Sequence, residues 1–417
     1  MKTSSLALAP VIAALLASTA NAQSVSLPPR PSERDRPEFD PVGGRVGSFV
    51  IRPEAELRIE YDDNVLALPD STADDTILTL RGQVVARSLW QRHRLRANAY
   101  VQRTVHAEFP REDELEAGLR TNGTLDIDRR SAVDAYASVD YLAEDRTSPA
   151  NFNQARERTR FMRYSAGATY WRDFDPLRVQ GEVQATRQDF QDTRTFTGEP
   201  LEQDFRDTTY VRASGQGIYD VSPRVGVLAR VEVDRLDYTA DEGLPFPLDR
   251  DSTGVKLEAG VRMELTSLIR GEIRAGWLTR NIDDPQLNDP SGVSFGANLR
   301  WAVTPLTSVE LDANRSVEEG GSRLTAGNLR SQAQVTVEHE LLRNLVVIGR
   351  ARVARIDTVG LIDDNASEYQ LDASATYLVN RNLRVYARAE RFDRSADGDF
   401  FREFARNRFT IGMRLVY

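Results

Sequence analysis

The chain contains no cysteine, three histidines, and only two lysines, Lys2 and Lys256, among 54 basic residues. Without cysteine there is no disulfide staple and no thiolate chemistry, which suits export through a compartment where a stray thiol is a liability. His93, His106 and His339 have no second His or Cys at ligand spacing, so the usual donors of a transition-metal centre are missing and no metal is expected. A nucleophile–base pair is missing as well. His106 is followed by Ala107 and Glu108, with no serine at the neighbouring same-face position, and no catalytic residue or cofactor is assigned. Long apolar runs are scarce: past Ala17 nothing approaches the roughly 18 to 20 apolar residues of a membrane-spanning helix. Excess positive charge is also lacking. The net charge is −9, or −10 once Lys2 is removed with a leader, which argues against nucleic acid as a partner. The scarcity of lysine has two explanations. The simpler is a GC-rich coding sequence; the functional one is arginine chosen to pair with carboxylates, phosphates or sugars.

What is present begins with a leader. Lys2 precedes an apolar run from Leu6 to Ala17, and Ala20-Asn21-Ala22 closes it. That is a charged start, a short hydrophobic region and a small-residue cleavage site, so residues 1–22 read as a secretory signal. Residues 23–46 carry prolines at 28, 29, 31, 37 and 41 among charges and glycines, and read as a disordered lead-in.

From residue 47 the pattern changes to alternation. Ala55, Leu57, Ile59 and Tyr61 fall on one face, with Glu54, Glu56, Arg58 and Glu60 on the other. Leu95, Ala97, Ala99 and Val101 oppose Arg94, Arg96, Asn98 and Tyr100, and similar rows follow down the chain. A period of two is the signature of a strand with one apolar and one polar face. Short turns fall near Gln91, Asp128, Asp173 to Pro176, Val221 to Pro223, Thr266, Thr304, Arg343 and Asn380 to Asn382. They recur about every 37 to 48 residues, the length of two spanning strands, one turn and one longer loop. Eight tight turns and nine loops predict an all-β, antiparallel, up-and-down transmembrane barrel of about eighteen strands over 47–417, or sixteen if one hairpin is miscounted. An even count puts both termini at the tight-turn, periplasmic end. Trp90, Trp171, Trp301, Tyr219 and Tyr377 precede tight turns, while Tyr61, Phe190, Tyr238 and Phe392 lie at the opposite strand ends. These two sets read as two aromatic girdles. Frequent Ala and Gly on the apolar face fit lipid, which fills any outline, better than a packed core.

The final strand alternates most cleanly. Phe409, Ile411, Met413, Leu415 and Tyr417 share one face; Arg408, Thr410, Gly412 and Arg414 share the other. Ending on an aromatic residue, it resembles the closing strand of bacterial outer-membrane barrels, where that strand is the signal read by the barrel assembly machinery. Arg45 to Pro53 followed by Glu60-Tyr61-Asp62-Asp63-Asn64-Val65 resembles the opening of the putative β-barrel porin 2 family. Ser88-Leu89-Trp90-Gln91-Arg92-His93 and Glu144 to Pro149 resemble its turn and loop motifs. The resemblance implies an outer-membrane barrel in contact with outer-membrane lipid and lipopolysaccharide. In many members it implies linkage to exopolysaccharide export, and so polysaccharide or polysaccharide-export proteins as partners. It carries no catalytic residues.

The site candidates are therefore the polar rows projected inward: Glu56, Arg58, Arg230, Glu232, Asp234, Glu258, Arg262, Arg270, Glu272, Arg274, Arg350, Arg352, Arg388 and Glu390. Acid and base interleave on nearly every strand, so neighbouring strands can pair them across the ladder. A near balance of sign predicts weak ion selectivity, with Arg350, Arg352 and Arg388 as a candidate basic strip. Tyr61-Asp62-Asp63-Asn64 at the first hairpin either supplies hard oxygens for calcium or, more simply, forms a turn. No loop exceeds roughly 16 residues, so an inward-folded constriction loop is not expected. The sequence thus predicts a channel for hydrophilic solutes. Its rival is a closed barrel whose own charge network fills the lumen and whose loops bind a partner.

Overall fold

The computed structural model describes residues 27–69, 73–149, 155–195, 197–239, 248–318, 322, 324–361, 364–398 and 401–417; the proposed leader, 1–22, lies outside them. Eighteen antiparallel strands follow in chain order. They are β1 Phe49–Asp62, β2 Asp75–Ser88, β3 Arg94–His106, β4 Glu114–Asp128, β5 Ser131–Ala143 and β6 Arg160–Asp173. Next come β7 Leu177–Phe190, β8 Thr208–Ser222, β9 Val225–Tyr238, β10 Ser252–Thr266, β11 Ile269–Ile282 and β12 Ser291–Thr304. The last six are β13 Thr307–Glu318, β14 Thr325–Leu342, β15 Leu345–Gly360, β16 Asn365–Leu378, β17 Leu383–Ala396 and β18 Phe404–Val416.

Each strand pairs with its sequence neighbours, and β18 returns to β1 from Glu54↔Val416 to Asp62↔Arg408. That last pairing removes both sheet edges and closes the barrel. All eight expected tight turns join strands at one end, and the longer loops join them at the other. Both β1 and β18 place their chain ends at the tight-turn end.

Because side chains alternate, one face of each strand points out and one points in. Ile59, Leu80, Val101, Leu119, Val183, Val231, Leu257, Val293, Val353 and Leu371 are all exposed on the outside. A continuous apolar band of this kind far exceeds the patches that water-soluble proteins leave bare, and lipid is its natural solvent. Phe409, Ile411, Met413, Leu415 and Tyr417 lie on this outer face. Among the described residues only small apolar clusters occur inside. Ala67 packs with Phe392 and Phe404; Ile282 with Leu287 and Ala326; Ile356 with Ala366 and Phe401. All three sit at the loop end. Among the described residues there is no central core.

Two expectations fail at this level. Residues 28–46 are not disordered: Pro31–Glu33 forms a turn of 3-10 helix and Gly44–Val46 pairs with Phe49–Ile51 of β1. The loop-side girdle was also misassigned. Phe190, Tyr238 and Phe392 have the inward parity of their strands, with Phe190 and Phe392 nearly inaccessible, and Trp171 shares the inward row of Phe161 and Arg163. Position near a strand end does not fix which face a ring takes; parity does. Trp90, Trp301, Tyr219 and Tyr377 do face outward at the tight-turn end, as Tyr61 does at the loop end.

Inside, tyrosines lie flat along the wall over glycines on the next strand. A Cβ built on Gly167 would stand 2.5 Å from Tyr136 Cε1, and one on Gly118 would meet Tyr100 equally closely. Glycine is needed there because the ring occupies the side-chain space. Replacing Gly167 by alanine should cost about 1–3 kcal/mol through the displaced ring, whereas Gly181→Ala, with open space around it, should be neutral. The temperature at which the folded band is lost on unboiled gels measures both.

Candidate functional site

The fourteen candidate residues all occupy the inward face, and the structure gathers most of them into short networks. Arg230 meets Glu232 at 3.2 Å and Glu182 at 3.7 Å, while Glu232 also takes Lys256 at 2.8 Å. Asp234 pairs with Arg280, whose Nη1 donates to Ser252 at 2.9 Å. Glu258 accepts from Arg274 at 3.1 Å and from the Ser294 hydroxyl, and Arg274 also binds Glu272. Arg262 pairs with Asp220, and Arg270 with Glu264 at 2.9 Å. Glu56 accepts from Arg414 and from the Tyr386 hydroxyl, both at 2.6 Å. Among the described residues Arg58 makes no ion pair.

The basic strip does not survive. Arg350 and Arg388 share Asp372, Arg388 also binds Glu390 at 2.7 Å, and Arg352 donates to Gln370. Alternation identified each arginine but not the acceptor beside it on the next strand, because register across a ladder is not written in one strand. The wall is thus charged, paired and close to neutral.

At the loop end the lumen is stopped by chain, contrary to the expectation of no inward loop. The β5–β6 loop starts with Glu144 and Arg146. Arg146 clasps Glu112 of the β3–β4 loop in a bidentate pair (2.7 and 3.0 Å) and donates to the Ala155 carbonyl at 3.1 Å. Arg158 bonds the same Glu112 at 3.0 Å and also Glu114. Burial alone would raise the Glu112 pKa, but Arg146 and Arg158 more than offset it and hold the carboxyl below its ordinary value. Glu144 forms a second bidentate pair with Arg206, which is nearly inaccessible and stacks 4.2 Å over the Phe190 ring. Arg250 sits 4.0 Å over Tyr238 and donates to the carbonyls of Phe205 and Ser322. Arg394 of β17 reaches the Thr147 carbonyl at 2.5 Å, tying the β5–β6 loop to a strand well around the barrel. The inward aromatics thus serve as seats for guanidinium groups. Loop length was too crude a guide, since sixteen residues suffice once their arginines find partners on other loops.

Within this stopper lies a chamber of about 460 Å³. Phe161 and Phe190 stack at 4.9 Å on one side; Glu318 and Asn328 close it from β13 and β14 opposite, and Arg163, Gln188 and Arg206 add polar groups. Stacked rings beside charged and amide groups suit a small hydrophilic ligand in size and chemistry.

At the tight-turn end the N-terminal strap lies against one arc of the mouth. Arg30 pairs with Glu310 at 3.0 Å, the Ser32 amide donates to Glu338 at 3.0 Å, and Arg34 and Arg36 both meet Glu340, at 3.3 and 2.9 Å. Arg300 in turn donates to the Pro28 carbonyl at 2.7 Å. Arg300, Glu310, Glu338 and Glu340 belong to the inner face of β12–β14, so the strap enters the barrel mouth. It then crosses to the β16–β17 turn, where Arg381 holds the Pro37 carbonyl at 3.0 Å. Glu38, outside the barrel, is held below its ordinary value by its hydrogen bond to Arg343.

Tyr61-Asp62-Asp63-Asn64 is a seam rather than a cation loop. Asp62 Oδ1 accepts from the Asn64 amide (2.9 Å), and Asn64 Nδ2 donates to the carbonyls of Leu68 and Ala405 (2.8 and 2.9 Å). Asp63 accepts from the Asn407 backbone and side chain (2.7 and 2.6 Å). The motif spends its oxygens pinning β1 to β18.

Two outcomes follow. Glu112→Gln should release the buried Arg146 and destabilise the loop stopper by roughly 3–5 kcal/mol, seen as faster amide exchange over 107–113 and 144–159. The depressed Glu112 pKa stabilises the knot fully above the ordinary glutamate range, and that support is lost as pH falls through the lowered value. Protection there, taken relative to the intrinsic exchange rate at each pH, should therefore hold from neutral pH down through the ordinary glutamate range and fall only below it.

A sequence profile of the putative β-barrel porin 2 family matches residues 36–417. A search among curated proteins found no match. Among solved structures, the outer membrane protein OpdK from Pseudomonas aeruginosa aligns at 11% identity and TM-score 0.47, covering 88% of this chain and 99% of that one. The siderophore receptor PirA from Pseudomonas aeruginosa aligns at 10% identity and TM-score 0.44, covering 88% and 80%. The copper transporter OprC aligns at 10% identity and TM-score 0.49, covering 90% and 82%. With the family profile spanning the whole barrel and the end of the strap, the chain belongs to the putative β-barrel porin 2 family.

Proposed function

We propose that this outer-membrane barrel is a gated channel for small hydrophilic solutes, with its tight-turn end and both termini in the periplasm. The observation that carries the reading is the contrast between wall and stoppers. Taken together, the inner rows of the eighteen strands are mostly polar, whereas the material at each mouth is separate chain held by arginine pairs. A barrel built only as a strut has no need of a wettable interior. The paired wall charges support weak discrimination between small ions, and the chamber beside Phe161 and Phe190 supports contact with a neutral or mildly charged solute such as a sugar. Export of a polysaccharide is the narrower version of this reading, and it would require the loop stopper to withdraw. The buried pairs Arg146–Glu112 and Arg206–Glu144 favour a second reading, a permanently closed barrel that engages a partner through its loops.

Planar-bilayer recording distinguishes them. The wild-type protein should show low, intermittent conductance. Removing residues 27–43 together with Arg206→Ala should give steady openings, several-fold larger and with weak preference between potassium and chloride. No openings in that variant, when its folded band on unboiled gels is intact, would leave the closed barrel standing.

A further inference from the structure

The outer face of the barrel changes character toward the loop end. The triplet Arg-x-Asp recurs there with outward parity: Arg187–Asp189 on β7, Arg235–Asp237 on β9, Arg355–Asp357 on β15 and Arg391–Asp393 on β17. Residues two apart share a face of a strand, and three of these pairs close on themselves, Arg235 with Asp237 at 2.6 Å, Arg355 with Asp357 at 2.9 Å and Arg391 with Asp393 at 2.5 Å. They mark the level where the apolar band gives way to headgroups.

At Arg355 the wall also offers a groove of about 310 Å³. Two successive cross-strand rows shape it. Ala333, Val353 and Tyr369 are register partners across β14, β15 and β16, and form an apolar floor. The next outward row toward the loop end, Ser331, Arg355 and Ser367, is in register directly above it. Phe295 of β12 completes the floor. It stands where the β12–β13 ladder stops at Gly296↔Asn314 although both strands run on. Arg355 is held through Nε alone. Its terminal nitrogens have no partner among the described residues, and the side chain is 55% exposed.

We propose that this groove binds one lipid with a phosphorylated headgroup, its acyl chain on the Ala333–Val353–Tyr369 row and its phosphate against Arg355, Ser331 and Ser367. A soluble anion would leave the apolar floor bare, and an uncharged lipid would leave the terminal nitrogens of Arg355, which its pair with Asp357 does not use, without an acceptor. Only an occupant with both parts complements both rows. The site rests on the barrel standing in a membrane, and does not depend on whether the lumen conducts.

The test uses the detergent-solubilised folded protein, native mass spectrometry, and two probes: diphosphorylated lipid A and the same lipid with both phosphates removed. Wild type should retain one copy of the diphosphorylated probe in preference to the other. Arg355→Gln should weaken that binding about tenfold. Ala333→Trp, which fills the floor but keeps the arginine, should weaken both probes. Arg172→Gln, outward at the tight-turn end, should bind as wild type does. Equal binding of the two probes by the wild type would overturn the assignment, as would wild-type affinity in either groove variant. Should Arg355→Gln fail to fold, Ala333→Trp and the probe comparison still decide.

Discussion

Closure of β1 on β18 is the constraint on which the rest of this structure depends. A sheet in lipid has no water to satisfy its edge, so every backbone amide and carbonyl in the hydrocarbon layer must find a strand partner. The chain meets this with its first and last strands. The polar cluster at the first hairpin is the clasp that holds them at the loop end, where Asp63 takes the Asn407 amide and Asn64 takes the Ala405 carbonyl. Once the ring is closed, alternation leaves no freedom: each strand must present lipid with one row and the lumen with the other.

The inner row then faces a problem of its own. Charges on a narrow wall interact strongly across the ladder, and an unpaired guanidinium in partial burial is costly. The solution is repeated from strand to strand, with Arg between carboxylates on its own and adjacent strands, as in Glu182–Arg212–Glu232–Lys256 and Asp372–Arg388–Glu390–Arg408. Arginine suits this role better than lysine because one planar fork can serve two acceptors at once. The near absence of lysine therefore acquires a structural use, whatever its genomic origin.

Much of the barrel was legible because its rule is local. Parity along Phe49–Asp62 or Phe404–Val416 needs no knowledge of the partner strand, and a tight turn such as Thr304-Pro305 marks its own place. What the sequence hid was everything that depends on encounter. Nothing near Arg206 announces that Glu144 lies 62 positions away in the right pose, and Arg30 is 280 positions from Glu310. The same blindness explains the strap. A proline-rich, charged segment is the usual composition of disorder, but here its arginines meet glutamates already fixed on β13 and β14. The aromatics are a different case: the inward parity of Phe190 and Phe392 is written in their own strands, and height along the strand is simply the wrong guide.

The strap and the loop knot differ in how firmly they are held, and this sets an order on their release. The strap is fastened partly by the exposed pair Arg343–Glu38 and the half-buried pair Arg30–Glu310. An exposed pair is worth at most about 1 kcal/mol, and among the described residues Arg36, buried against Glu340, is the strap's most enclosed ion pair. The loop knot is different in kind. Arg146, Arg206 and Arg250 are each buried and each serve two or more loops, so breaking one contact strands a charge that others were built to hold. Thermal release should begin with the strap and end with the loops. A solute arriving from the loop end must therefore replace what the knot gives its arginines, and the carboxylates, hydroxyls and amides that can do so are also the chemistry the inner wall is made to pass.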